Sequence, residues 1–288
     1  MKTKHITTLI LLSVINVFGA GISIEMENDT FATGGRDDNY THGTRVSYIS
    51  DKTLPYICDE LILSLTQLMY TPQNLTLTEP NPYDRPYAGL LEVSMGGTKY
   101  WKNPKVWHQL ELSLGVIGGN SFAEETQTKI HDIIDSTTPM GWDTQVEDAF
   151  LAQVDYRIYG NIYRNNNVQF NVILANNIGT VFLDAGIGSN FILGYNIPST
   201  IHKPISRKSS WSIYLFGEAI IKYVHNNELL QSDYTDINTE EKLYETQLGI
   251  GIDNNTVGFG YSMKWRSIEF TEQDDGKQIG SIYFKWYI

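Results

Sequence analysis

The chain has 288 residues, a formal net charge of -12, a mean hydropathy of -0.25 and a single cysteine. The acidic balance argues against a nucleic-acid-binding protein, because phosphates would be repelled. The single cysteine, Cys58, excludes an internal disulfide and a metal site built from several thiolates. No linker rich in Pro, Gly or Ser divides the chain, so we expect one domain.

The first twenty residues have the form of a secretory signal peptide. Lys2 and Lys4 precede an apolar run over residues 6–18, and small residues follow it. This order of basic, apolar and small residues is typical of export signals, and the run is too short to span a membrane as a helix. We therefore predict a signal peptide at residues 1–20 and an exported protein formed by residues 21–288.

Apolar and polar residues alternate along much of the chain. In residues 257–265 every second side chain is large and apolar, and residues 110–116 and 168–172 repeat this pattern. A period of two over about ten residues is typical of strands that span an outer membrane. We predict twelve strands, at residues 22–29, 41–50, 60–70, 85–98, 106–117, 149–163, 167–175, 180–195, 210–225, 242–253, 256–267 and 278–288.

The even strand count and the aromatic content indicate the fold class. Closed bacterial barrels have an even number of strands and two aromatic girdles, which 18 Tyr, 11 Phe and 6 Trp can supply. We expect an all-β protein, a twelve-stranded antiparallel transmembrane barrel in the bacterial outer membrane. Connections after odd strands should lie outside and be longer. Two connections break this rule, since 176–179 is short and 196–209 is long, which leaves a miscounted strand open.

One extracellular loop, between the fifth and sixth strands, is predicted to contain a short helix. Residues 122–135 contain no Gly or Pro. Ser121 is placed to cap the helix, with Glu124 completing a capping box.

Side chains four residues apart share one face of this helix. Gln127, His131 and Asp135 have that spacing. We expect the isoleucines at positions 130, 133 and 134 to turn towards the protein. His131 could take a proton from water as a neutral imidazole. The alternative is a solvated histidine on an exposed helix.

Oxygen-bearing side chains stand at the facing ends of the first two strands. Asn28 and Asp29 close the first strand, and Tyr40 and Thr41 open the second. Amide, carboxylate and hydroxyl oxygens suit a hard cation such as calcium, although a polar turn would contain the same residues. Strand parity places them on the same extracellular side as His131. Together they would suit a hydrolase in which a cation stabilises the oxyanion.

Arg85 opens the fourth strand on this same side. It could contact a phosphate group, or it could pair with Asp84 or Asp37 in a polar lumen. No Gly-x-Ser-x-Gly sequence is present, so a serine nucleophile is not supported.

Taken in order, these motifs resemble those of the outer-membrane lipid A 3'-O-deacylase family. The resemblance rests on Glu27-Asn28-Asp29, Asp37-x-x-Tyr40-Thr41-x-Gly43, Asp84-Arg85-Pro86-Tyr87-Ala88-Gly89 and Gln127-x-x-x-His131, followed by Pro139-x-Gly141-Trp142-Asp143-x-Gln145. It covers the N-terminal half of the chain, with barrel-like strands beyond.

The resemblance implies a calcium-dependent esterase near the outer leaflet. His131 would activate water, Gln127 would support the helix face, and a Ca²⁺ ion or the oxyanion would be held by Asn28, Asp29 and Thr41. Arg85 and Tyr40 are the predicted substrate contacts. The expected partners are lipid A of lipopolysaccharide and outer-membrane lipids, with the protein a monomer.

The residues that would contact the phosphates of the substrate leave alternatives open. No Lys or Arg occurs between Lys52 and Arg85, so phosphate contacts would come from Arg85, Arg36 or Arg45, or the substrate carries fewer phosphates. Two further hypotheses are an outer-membrane phospholipase and a non-catalytic barrel that serves as a channel or a surface scaffold.

Overall fold

A computed structural model describes residues 20–32, 39–50, 57–101, 105–198, 210–254 and 256–287. In these residues twelve strands form one closed sheet, in which each strand pairs antiparallel with its chain neighbours and the first pairs with the last. The bounds are β1 (Ala20–Asn28), β2 (His42–Ser50), β3 (Glu60–Tyr70), β4 (Ala88–Tyr100), β5 (Val106–Ile117), β6 (Ala149–Arg164), β7 (Val168–Gly179), β8 (Phe182–Tyr195), β9 (Ser212–Asn227), β10 (Lys242–Asp253), β11 (Val257–Arg266) and β12 (Lys277–Tyr287).

This closed barrel confirms the predicted fold class and strand count. The predicted signal segment up to residue 19, and the positions Arg36 and Asp37, lie outside the described residues. In the residues that are described, no helix is both long enough and apolar enough to cross a membrane.

The alternation in the sequence separates the two faces of the barrel wall. On β5, Leu112 and Leu114 point outwards and are exposed, whereas Ser113 between them is buried on the lumen side. Lipid covers the outward face, so apolar side chains are stable there and polar ones turn inwards. Closure of the sheet also leaves no unpaired strand edge in the hydrocarbon region.

The two irregular connections are features of the fold. β7 and β8 are joined on the outside by residues 180–181 alone, whereas 16 residues, 196–211, separate β8 from β9, and 199–209 of them lie outside the described residues. The described part of the chain contains the twelve strands that were predicted.

Ion pairs line the middle of the lumen around a cavity of about 540 Å³. Glu245 lies 2.8 Å from Lys222 and 2.8 Å from Arg266, and Arg45 lies 2.7 Å from Glu111. Towards the outside, a cluster of buried apolar side chains lies across the end of the lumen. It consists of Tyr40, Tyr70, Ala88, Leu90, Ile117, Val146, Leu151, Val181, Leu229 and Ile279.

Candidate active site at the outer rim

The helix of the 118–148 loop, α1 (Ala123–Ile134), lies against the outward face of the barrel wall. Gln67 of β3 donates a 2.8 Å hydrogen bond to the carbonyl of Ser121 just before the helix. Gly89 shares the outward face of β4 with the exposed Val93. Any side chain at Gly89 would collide with Ser121 and Ala123. The absence of a side chain at this glycine is what lets the helix approach the wall so closely.

A small apolar cluster fastens α1 to the rim. It consists of Met69, Leu75, Tyr87, Ala123 and Trp142. The rings of Tyr87 and Trp142 are 4.8 Å apart, and the loop backbone adds bonds from Met140 to Leu75 and from Val146 to Tyr87. The 71–87 and 118–148 loops therefore form one packed unit outside the wall.

The start of the helix differs from the prediction. The residue before α1 is Phe122, which has a φ of 58° and makes no side-chain cap. Ser121 belongs to the preceding turn, where its hydroxyl donates to the carbonyl of Gly118 at 2.6 Å and accepts a long 3.4 Å bond from Ala123. The predicted capping box with Glu124 was therefore wrong, because an extra turn separates Ser121 from the helix.

The orientation of the helix is also the reverse of the one predicted for its isoleucines. Gln127 and His131 are buried, with 2% and 6% of their surface exposed, whereas Asp135 is exposed. The isoleucines predicted to face the protein are exposed, Ile130 by 40%, Ile133 by 79% and Ile134 by 62%. The burial of His131 also excludes the alternative of a solvated histidine.

His131 is held by the chain that leaves the helix. Its Nδ1 lies 2.5 Å from the carbonyl oxygen of Thr137. A carbonyl can only accept, so Nδ1 carries the proton and Nε2 carries the lone pair of the neutral ring. This is the tautomer that a base acting through Nε2 requires.

Gln127, one turn earlier, is held by an indole. Its Oε1 accepts a 2.8 Å hydrogen bond from Nε1 of Trp142, and its Nε2 is buried without a hydrogen-bond partner among the described residues. Trp142 was part of the motif but had no predicted role. Thr137 acts through its backbone carbonyl, for which a sequence carries no signal.

The predicted oxygen donors lie at the outer ends of β1 and β2. The two strands pair Glu27 with Gly43, so the residues just beyond them stand side by side. Asp29 and Thr41 are 2% and 3% exposed. Thr41 is also joined to the neighbouring loop, because its hydroxyl lies 2.6 Å from that of Thr71.

Met69 lies between these donors and the helix. Its carbonyl accepts a 3.0 Å bond from the backbone of Thr41, and its side chain packs in the cluster that contains Ala123 and Trp142. Met69 therefore links the oxygen donors to the cluster that holds α1.

The chemistry of the donor set fits calcium better than a softer metal. Every donor is an oxygen, and Asp29 brings a buried carboxylate. Asn28 fits less well in this conformation, because its Oδ1 accepts hydrogen bonds from both the backbone and the hydroxyl of Thr30. Within the described ranges, no three His, Cys, Asp or Glu side chains are grouped as a metal site. A calcium ion here would rely on Asp29 plus neutral oxygens.

The two predicted substrate contacts are buried below the rim. Tyr40 is 3% exposed and donates a 2.5 Å hydrogen bond to Glu27. Burial, together with the negative charge of Glu27, raises the pKa of the Tyr40 hydroxyl, so it stays protonated as a donor. In this position Tyr40 packs at the outer end of the lumen, and its role as a substrate contact stays a prediction.

Arg85 is 1% exposed, lies 3.4 Å from Glu269 and stacks over the ring of Tyr70 at 4.3 Å. Burial lowers the pKa of its guanidinium, and the nearby Glu269 opposes that shift. The structure favours the interpretation of Arg85 as a lumen ion pair with Glu269, while Asp37 lies outside the described residues.

Comparison with known proteins agrees with this architecture. A family model described as outer membrane protein LpxR matches residues 9–288. The structure of LpxR from Salmonella typhimurium is similar with a TM-score of 0.83 at 19% sequence identity, over 93% of this chain and 100% of that chain. No curated protein sequence matches the chain.

More distant barrels share only the general shape. The β domain of the Bordetella autotransporter BrkA has a TM-score of 0.43 at 9% identity, over 93% of this chain and 98% of that one. Such a score carries no functional argument. The family model spans almost the whole chain, so this outer-membrane protein belongs to the family of outer membrane protein LpxR, the lipid A 3'-O-deacylase family that its motifs resemble.

Proposed function

We propose that the protein hydrolyses ester-linked 3'-acyl chains of lipid A, with His131 as the base that activates water. The observation that carries this proposal is the hydrogen bond from Nδ1 of His131 to the carbonyl of Thr137. It leaves the lone pair on Nε2, where a general base needs it. Family membership supports the substrate class.

In the proposed reaction, Nε2 of His131 takes a proton from a water molecule as the oxygen attacks the ester carbonyl. The same proton then passes to the departing sugar oxygen, so the products are a free fatty acid and a 3'-hydroxyl group. Gln127, fixed by Trp142, keeps the buried face of α1 in place so that the imidazole holds its orientation.

The oxygen donors form the second half of the proposed site. Asp29 and Thr41 would hold Ca²⁺, with Asn28 joining if it releases Thr30. The bound ion would supply positive charge that stabilises the oxyanion. The buried position of Asp29 supports this role, because a buried carboxylate attracts a cation strongly.

The channel hypothesis is the less favoured one. The apolar cluster across the outer end of the lumen includes Leu90, Leu151 and Ile279, which point inwards from three different strands. A conducting barrel has a polar, water-filled interior. A phospholipase would use the same base and differs from the proposed enzyme only in substrate.

The proposal is tested in cells that make lipid A with a 3'-ester-linked chain. Expression of the wild-type protein should lower the mass of lipid A by one acyl or acyloxyacyl chain, and expression of His131→Ala should leave it unchanged. Both proteins must migrate as folded barrels in unheated gels. Unchanged lipid A together with phospholipid breakdown would favour the phospholipase. Unchanged lipids of both kinds would favour a non-catalytic barrel.

A further inference from the structure

We propose that an apolar flank of α1 inserts among the hydrocarbon chains of the outer leaflet. This apolar flank consists of Ile130 and Ile133, with Phe122 at the start of the helix and Ile134 at its end. All four side chains are exposed, by 40% to 79% of their surface. The inference concerns where the helix sits, and it holds whichever reaction the site performs.

The helix carries three separate faces. Successive residues turn by about 100° around a helix axis. Ala123, Gln127 and His131 form the buried face against the rim. Ile130 and Ile133 of the apolar flank border this face on one side, and Ile134 lies in line with Gln127 at the exposed end of the helix. The exposed positions further round the helix carry charges. Glu125 and Asp132 form this charged flank, and Lys129, four residues before Ile133, lies at the boundary between the two flanks.

This separation has the form of a helix that lies at a membrane surface. Such helices bury one apolar face at the boundary between headgroups and acyl chains and keep their charges in water. The apolar flank contains no charged residue. If both flanks faced water, three isoleucines would be exposed side by side without a partner, which a soluble surface rarely allows.

The position of α1 outside the barrel wall indicates that lipid is what covers the apolar flank. The helix packs on Gly89, which lies on the outward face of β4 and not on the lumen face. The outward positions of the same strands continue with exposed apolar side chains, including Leu65 on β3 and Val93 on β4. The apolar flank is therefore continuous with the lipid-facing surface of the barrel.

Spin labels can measure the depth of the two flanks directly. The background variant Cys58→Ser removes the buried native thiol. Single cysteines are then introduced as Ile133→Cys and Asp132→Cys, with Val93→Cys as a lipid-facing reference. Each labelled protein is reconstituted into vesicles of phospholipid and lipopolysaccharide. Collision rates are compared between oxygen, which concentrates in lipid, and a water-soluble nickel chelate.

The label at Ile133 should favour oxygen, as the label at Val93 does, while the label at Asp132 should favour nickel. A label at Ile133 that is as accessible to nickel as that at Asp132 would overturn the proposal. Protection from both reagents with spin–spin broadening would also overturn it, because it would show a second copy covering the flank. Ile130→Cys repeats the test at a second position, in case the label at Ile133 displaces the helix.

Discussion

At the scale of single residues, the orientation of His131, the candidate base, depends on the segment that follows α1. His131 is oriented by the carbonyl of Thr137, and Gln127 is oriented by the indole of Trp142. Both partners belong to the same loop as the helix. The tautomer of the histidine is therefore fixed locally, by a backbone group that a change of side chain at position 137 would leave in place.

Asp29 is the residue on which the proposed calcium site depends. We expect Asp29→Asn to weaken Ca²⁺ binding about tenfold or more, because the affinity of such sites follows the charge of their ligands. Isothermal titration of the purified, folded barrel with CaCl₂ measures this directly, without any reference to activity.

Asp274→Asn is the matched control for this experiment. Asp274 is an exposed aspartate in the outer loop between β11 and β12. Asp274→Asn therefore removes the same charge as Asp29→Asn, on the same side of the barrel. Equal Ca²⁺ affinities for wild type, Asp274→Asn and Asp29→Asn would show that Asp29 is not a calcium ligand.

At the scale of elements, the contact between α1 and β4 positions the site. The helix can approach the wall only because Gly89 has no side chain. We expect Gly89→Ala to lower the rate of deacylation by about 100-fold, since a displacement of about 1 Å in a catalytic group has an effect of this size. The barrel should still fold, because the substitution lies at the end of a strand with its ladder intact.

Gly160→Ala provides the control for this substitution. Gly160 also points outwards from the wall, but far from α1, and an added side chain there would meet only the end of the Val172 side chain. Rates are compared after both variants are shown to migrate as folded barrels. Full activity in Gly89→Ala would mean that the helix position does not set the rate.

The elements themselves were well predicted from the sequence, because a period of two follows directly from the geometry of a strand in lipid. β3, β5 and β10 have the predicted bounds, and α1 differs from its prediction by one residue at each end. The orientation of α1 was predicted wrongly. The prediction assumed that isoleucines turn towards protein, but beside an outer leaflet they can turn towards lipid.

The site was predicted less completely than the fold. Asp29, Thr41 and His131 are buried at the rim, and their roles stay predictions. The partners of Arg85 and Tyr40 could not be predicted from local patterns, because Glu269 and Glu27 lie far away in the chain. Such long-range pairs depend on the closure of the barrel, which no local pattern encodes.

At the scale of the whole molecule, buried ion pairs join neighbouring strands inside the lumen. Glu245 pairs with both Lys222 and Arg266, and these side chains are only 12% to 14% exposed. We expect Glu245→Gln to lower the free energy of unfolding by about 3–5 kcal/mol, because removing one partner leaves a buried charge uncompensated. Unfolding by urea in lipid vesicles, followed by tryptophan fluorescence, measures the change.

A more exposed ion pair serves as the comparison. Asp59 and Lys99 lie 2.9 Å apart with side chains 32% and 27% exposed. We therefore expect Asp59→Asn to lower the free energy of unfolding by less than about 1 kcal/mol. Equal losses in the two variants would show that the lumen network contributes no more than a surface pair.

The most direct test of the proposed enzyme uses the purified protein, reconstituted with lipid A whose 3'-chain is known. The quantity measured is the rate of fatty acid release by wild type, His131→Gln and Asp132→Asn, where Asp132 is the exposed neighbour of His131 on α1. We predict equal rates for wild type and Asp132→Asn, and a loss of about 10²–10⁴-fold for His131→Gln. Undiminished release by folded His131→Gln, or no release by the wild type, would contradict the account.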